Sequence, residues 1–148
     1  MRNLLLFLHV AGAIFWMGGM AFLVLALRPA AHASLEPPVR LPLMVQVLRR
    51  FFVIVIVSIV ALLATGLALF AQSGIAPVPP GWHAMVALGV VMMLVFGHIF
   101  FVPWRRLQQA VGAQEWPRGG AAMNQMALLV KVNLGLGWLA IAAVILWR

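Results

Sequence analysis

Four long apolar runs, separated by polar or proline-rich breaks, divide the chain. They cover residues 4–27, 51–71, 82–104 and 126–147. Each matches the ~20 apolar residues that a helix needs to cross a bilayer. The pattern predicts an all-α fold, an integral membrane four-helix bundle forming a single domain over residues 1–148. The first run, LLLFLHVAGAIFWMGGMAFLVLAL, is expected to stop at Leu27 against Arg28-Pro29, because proline removes a helical donor. In the break that follows, Pro37 and Pro38 suit a helix start, where their missing N–H groups cost nothing. Val39, Leu43, Val47 and Phe51 then recur at helical spacing, so an amphipathic helix should lead directly into the second span. The second span is followed by Gln72-Ser73-Gly74 and an uncharged turn, Ala76-Pro77-Val78-Pro79-Pro80-Gly81. The third span is expected to end around Pro103-Trp104-Arg105-Arg106.

Composition supports the membrane assignment. The chain is 66% hydrophobic and 8% charged, with a mean hydropathy of +1.12. A water-soluble domain of this size has too little polar surface to cover that much apolar side chain. The net charge of +8 does not point to nucleic acid, since the basic residues sit between apolar runs as a topology signal should. The chain has no cysteine, which excludes disulfides, thiolate metal sites and thioether-attached haem. Ala31-His32-Ala33 resembles a signal-peptidase motif, but the preceding run is about twice the usual length of such a leader's apolar core, so the first span is expected to stay uncleaved.

Charge placement predicts the topology. Arg28, Arg40, Arg49 and Arg50 surround the first break, and Arg105, Arg106, Arg118 and Lys131 surround the third. The other side carries only Arg2 and Arg148, so both termini are expected outside (N-out/C-out). Trp82 and Trp147 then fall at the outer interface and Trp104 at the inner one, as belt residues do.

An ionisable group within a membrane span is costly and marks a candidate site. His9 lies within the first span, on one stripe with Ala13, Trp16 and Met20, flanked by Gly12 and Gly19. His83 opens the third span on the outer side, and His98 lies about 22 Å further along it. His98 is expected near Ser58, Lys131 or Asn133, with Lys131 snorkelling to the interface and His32 simply solvated. Without thiolates or intramembrane carboxylates, the available donors are imidazole and Met thioether. That set suits copper, particularly Cu(I), and histidine pairs also ligate haem iron. Met85 stands near His83, and Met17 and Met20 lie on the His9 helix. Glu36 and Glu115 lie in the breaks, so zinc, calcium and acid–base hydrolysis are poorly supported. Gly135-Leu136-Gly137 reads as a helix-packing element.

Leu8-His9, Trp16 seven residues on, and Gly18-Gly19 resemble the first helix of the CopD (copper resistance D) family. Leu27-Arg28-Pro29-Ala30, Gly97-His98-Ile99-Phe100-Phe101, Arg105-Arg106-Leu107 and Lys131-Val132-Asn133-Leu134-Gly135-Leu136 extend the resemblance over nearly the whole chain. It implies a multi-pass protein of the bacterial inner (cytoplasmic) membrane that moves or handles copper. HemJ-type protoporphyrinogen oxidases share the His-to-Trp spacing and carry haem b on intramembrane histidine. This chain has no tyrosine and lacks the Pro-Arg pair that ends their first helix. Three readings therefore stand. In the first, His9 and His83 form an outward-facing copper site with Met85 as a soft donor. In the second, His9 and His83 ligate haem b in a membrane redox protein, with Trp16 and His98 as further cofactor contacts. In the third, the bundle is a cofactor-free structural or assembly subunit whose histidines are only hydrogen-bonded. The expected partners are the lipid bilayer, a periplasmic copper or electron-transfer protein, and further subunits, whether copies of itself or of a larger complex; nucleic acid is not among them.

Overall fold

The computed structural model describes residues 1–73 and 78–147. Residues 74–77, within the proline-rich turn, and Arg148 lie outside the described set. Four helical rods, each long and apolar enough to cross a membrane, make up the bundle: Arg2–Ser34, Pro37–Ala71, Pro80–Gly112 and Trp116–Leu146. The first comprises α1 (Arg2–Phe22), a π-helical turn (Leu23–Leu27) and α2 (Arg28–Ser34). The second is α3 (Pro37–Ala71), the third is α4 (Pro80–Phe101) with α5 (Pro103–Gly112), and the last is α6 (Trp116–Leu146).

The first rod does not stop at Leu27, as its sequence suggests. The π turn carries it past the proline: the Arg28 N–H reaches Leu23 O, five residues back, instead of four. A wider turn gives the Pro29 ring room beside the preceding carbonyls, where an α-helical turn would clash. The third rod also outlasts its predicted end, but with a break. Val102 leaves helical geometry (φ −114, ψ −81), and Pro103 starts α5 without needing a donor. As expected from the Pro37-Pro38 start, α3 runs unbroken from the amphipathic segment through the second span.

The rods pair as two hairpins, α1 along α3 and α4 along α6, with α5 folded onto the start of α6. Lipid offers no hydrophobic gain for joining apolar helices, so close packing must hold them. Glycines allow that closeness at several places. Gly12 faces the Ser58 carbonyl and Leu62 on α3, and Gly19 lies under the Phe51 ring. At the end of the bundle where α4 begins, the Gly81 N–H donates to Trp147 O at 3.1 Å, tying the start of α4 to the residue after α6. In the predicted Gly135/Gly137 element, Gly137 is the buried packing residue and Gly135 is exposed.

The two hairpins meet over an aromatic cluster. Phe52 stands edge-on to Phe96 (centroids 5.5 Å apart) and to Trp104 (5.1 Å), and Trp16 stands edge-on to Phe96 at 6.5 Å. Such pairs add to packing beyond area alone. Trp104 is therefore a core residue, 5% exposed, and not the inner-belt anchor its position suggests. The α4–α5 break turns it inward, beneath Phe52.

Candidate functional site

His9 is half-buried and faces α3. Its Nδ1 lies 2.9 Å from Thr65 Oγ1, and Thr65 is 5% exposed. The same hydroxyl lies 2.5 Å from the Ala61 carbonyl, which can only accept. The single hydroxyl proton therefore points to Ala61, and Oγ1 accepts from His9 Nδ1–H. In a neutral ring this arrangement corresponds to the Nδ1–H tautomer, which leaves Nε2 its lone pair. Gly66, beside Thr65, lets the ring lie close, because a Cβ there would sit 3.3 Å from His9 Cε1. Thr65 is the chain's sole threonine and was not among the residues expected at the site. A lone hydroxyl in an apolar run (ALLATGL) was the available signal.

The remaining candidates are placed differently from one another. His83 is exposed and lines a groove with Val78, Pro80, Ala84, Ala87 and Trp147; Met85, two residues on, is half-buried on nearly the opposite face of α4 and does not line that groove. His9 bonds to Thr65 on α3, whereas His83 lines a groove of α4 with Trp147, and His9 is not part of that lining. His98 is exposed on α4, and Lys131 is exposed on α6. Ser58 is buried, with its backbone against Gly12 of α1. Asn133 is 1% exposed, and its Oδ1 has no hydrogen-bond partner. Trp16 is fully in the core against Phe96, as a packing residue.

Thioethers populate the interior. Of nine methionines, Met20, Met44, Met92, Met123 and Met126 are buried, and Met17 and Met93 pack on the same core. Two of them converge on Gly137 of α6. A Cβ there would meet Met17 Sδ at 2.9 Å from the α1 side and Met92 Cε at 3.2 Å from the α4 side. Asn133, with its unpartnered Oδ1, lies one turn away on the same face of α6. Among the described residues no three His, Asp or Glu side chains converge. What gathers at Gly137 is two methionine side chains, Met17 by its sulfur and methyl and Met92 by its methyl, with one amide oxygen a turn away. Met17 lies eight residues beyond His9, about 12 Å deeper along the helix, so the two mark separate levels.

An all-helical, four-span membrane protein with a thioether-lined interior is the class these observations define. The family described as copper resistance protein D (CopD) matches residues 45–147, and the chain belongs to it. A relative from Aquifex aeolicus (strain VF5), called only an uncharacterized protein, is 30% identical over 140 residues, spanning 91% of this chain and 93% of its own length. No solved structure matches the chain.

Proposed function

We propose that the protein handles copper as Cu(I) inside the bundle, with Met17 and Met92 as soft donors and His9 Nε2 as a donor nearer the outer surface. The convergence of two thioethers from different helices over Gly137 carries this reading. Thioether and imidazole ligands select Cu(I) over harder cations, and the chain supplies no thiolate or intramembrane carboxylate to compete. The unpartnered Asn133 Oδ1 adds a polar atom beside the pair, where an apolar residue would pack at lower cost. Thr65 acts on His9 as the outer partner of a ligating imidazole does, holding the ring and its tautomer. His83, in the groove at the start of α4, would be the first imidazole an incoming ion meets.

The test is anaerobic Cu(I) competition against a chromophoric chelator, using the purified full chain in detergent. Met17→Leu/Met92→Leu conserves volume and should leave the fold intact, while lowering Cu(I) affinity by about tenfold or more. Unchanged affinity in that variant would overturn the thioether assignment. A Soret band in the purified protein, lost in His9→Ala, would establish haem in its place.

A further inference from the structure

At the arginine-rich end of the bundle, α2, the start of α3 and the start of α6 enclose a small cavity of about 80 Å³. Its polar wall is Arg28, His32, Arg40 and Asn124, and Met44 and Met123 lie among its apolar lining. By the positive-inside distribution this end faces the cytoplasm, at the level where the helices leave the bilayer. Two half-buried guanidiniums share this space with an imidazole, and no acidic side chain lines it. The chain has only two acidic residues, and Glu115 is already paired with Arg118 at 3.0 Å.

The protein uses little of the available donor capacity. Arg28 gives one bond, from a terminal guanidinium nitrogen to Asn124 Oδ1 at 2.6 Å. Arg40 gives one long bond, 3.4 Å, to Leu35 O. Each guanidinium has five N–H donors in a planar fork that matches phosphate oxygens. Two guanidiniums that line one cavity without an acidic side chain leave positive charge that a bound anion would balance. The volume corresponds to two or three waters at ~30 Å³ each, which is also room for one oxyanion. The apolar part of the lining suits the glycerol side of an amphiphile.

The geometry points to a phosphate-binding pocket whose ligand is the phosphodiester headgroup of an anionic phospholipid. Basic pockets between transmembrane helices on the cytoplasmic side recognise such headgroups. This does not rest on the copper assignment, since the pocket and the Met17/Met92 pair share no residue.

The experiment uses the full chain in a nonionic detergent, titrated separately with phosphatidylglycerol, phosphatidylcholine and inorganic phosphate. Binding is read by native mass spectrometry and by thermal unfolding. Phosphatidylglycerol should remain bound and raise Tm, while phosphatidylcholine should do neither. Arg28→Gln/Arg40→Gln should weaken phosphatidylglycerol by about thirtyfold, and the exposed pair Arg105→Gln/Arg106→Gln should not. A second variant avoids the risk that losing both arginines unfolds this end. Asn124→Asp keeps the contact to Arg28 and places a carboxylate inside the pocket, so it should preserve the unliganded fold and weaken phosphatidylglycerol about tenfold. Equal Tm shifts from inorganic phosphate and phosphatidylglycerol would overturn the lipid and leave free phosphate as the ligand. No phosphatidylglycerol binding by the wild type, or undiminished binding by Asn124→Asp, would overturn the pocket.

Discussion

Replacing Thr65 by valine tests the geometry on which His9 depends. Valine keeps the branched shape of a residue that is 5% exposed and removes only the hydroxyl. Two bonds vanish: the one received from His9 Nδ1–H and the one given to the Ala61 carbonyl. The carbonyl retains its place in the α3 ladder, so the loss falls mainly on the histidine. Hydrogen bonds between membrane helices average ~0.6 kcal/mol and reach ~1.7. His9 is half-buried near the start of α1, where water can replace part of the bond, so Thr65→Val should cost about 1 kcal/mol. Once His9→Leu has removed the partner, the same change should cost about zero. Reversible unfolding in mixed micelles, followed by the fluorescence of the six tryptophans, gives all four corners of the cycle. Coupling smaller than the ~0.3–0.5 kcal/mol scatter of independent sites would show that the two side chains do not interact, and the tautomer argument would fall with it.

Other substitutions separate packing from chemistry. Gly81→Ala would drive a methyl into the backbone carbonyls of Ala143 and Trp147, so thermal unfolding should show a loss of about 1–3 kcal/mol. Gly89→Ala, with nothing within 4 Å, should stabilise by up to about 1 kcal/mol through helix propensity. Trp104→Ala should cost about 3–5 kcal/mol as a core truncation; a loss near zero would restore it to the interfacial belt. Asn133→Leu removes an unpartnered buried carbonyl and should be neutral or stabilising in the same assay, while lowering Cu(I) retention on a desalting column.

Hydropathy alone located the four spans, because a bilayer demands long, uninterrupted apolar segments. The rods nevertheless extend beyond those spans at both proline positions, for opposite reasons. At Pro29 the backbone widens into a π turn and continues, whereas at Pro103 it breaks and restarts. In both places the sequence shows a proline after an apolar run. Which outcome follows depends on what the rest of the bundle needs there. The π turn that admits Pro29 leaves Arg28, just before it, bonded to Asn124, and beyond Pro103 the break turns Trp104 under Phe52.

The candidate site was legible in type but not in pairing. Imidazole and thioether were identifiable as the candidate metal donors, because cysteine is absent and both carboxylates lie in the breaks. Depth along each helix placed His9 and His83 at similar levels, yet depth says nothing about which helices are neighbours. The packing answers that with glycines. Gly12 and Gly66 bring α1 against α3, which commits His9 to Thr65. Gly137 on α6 leaves a gap that Met17 and Met92 fill from two sides. A glycine buried opposite two flexible thioethers serves packing whatever the ion, since a methyl group there would displace both. What packing does not require is a buried amide with an idle oxygen one turn below, and that is Asn133. If only shape mattered, leucine would fill the position without stranding a polar atom. The unpartnered oxygen therefore makes the Met17–Met92 level the place where the proposed Cu(I) site is to be tested.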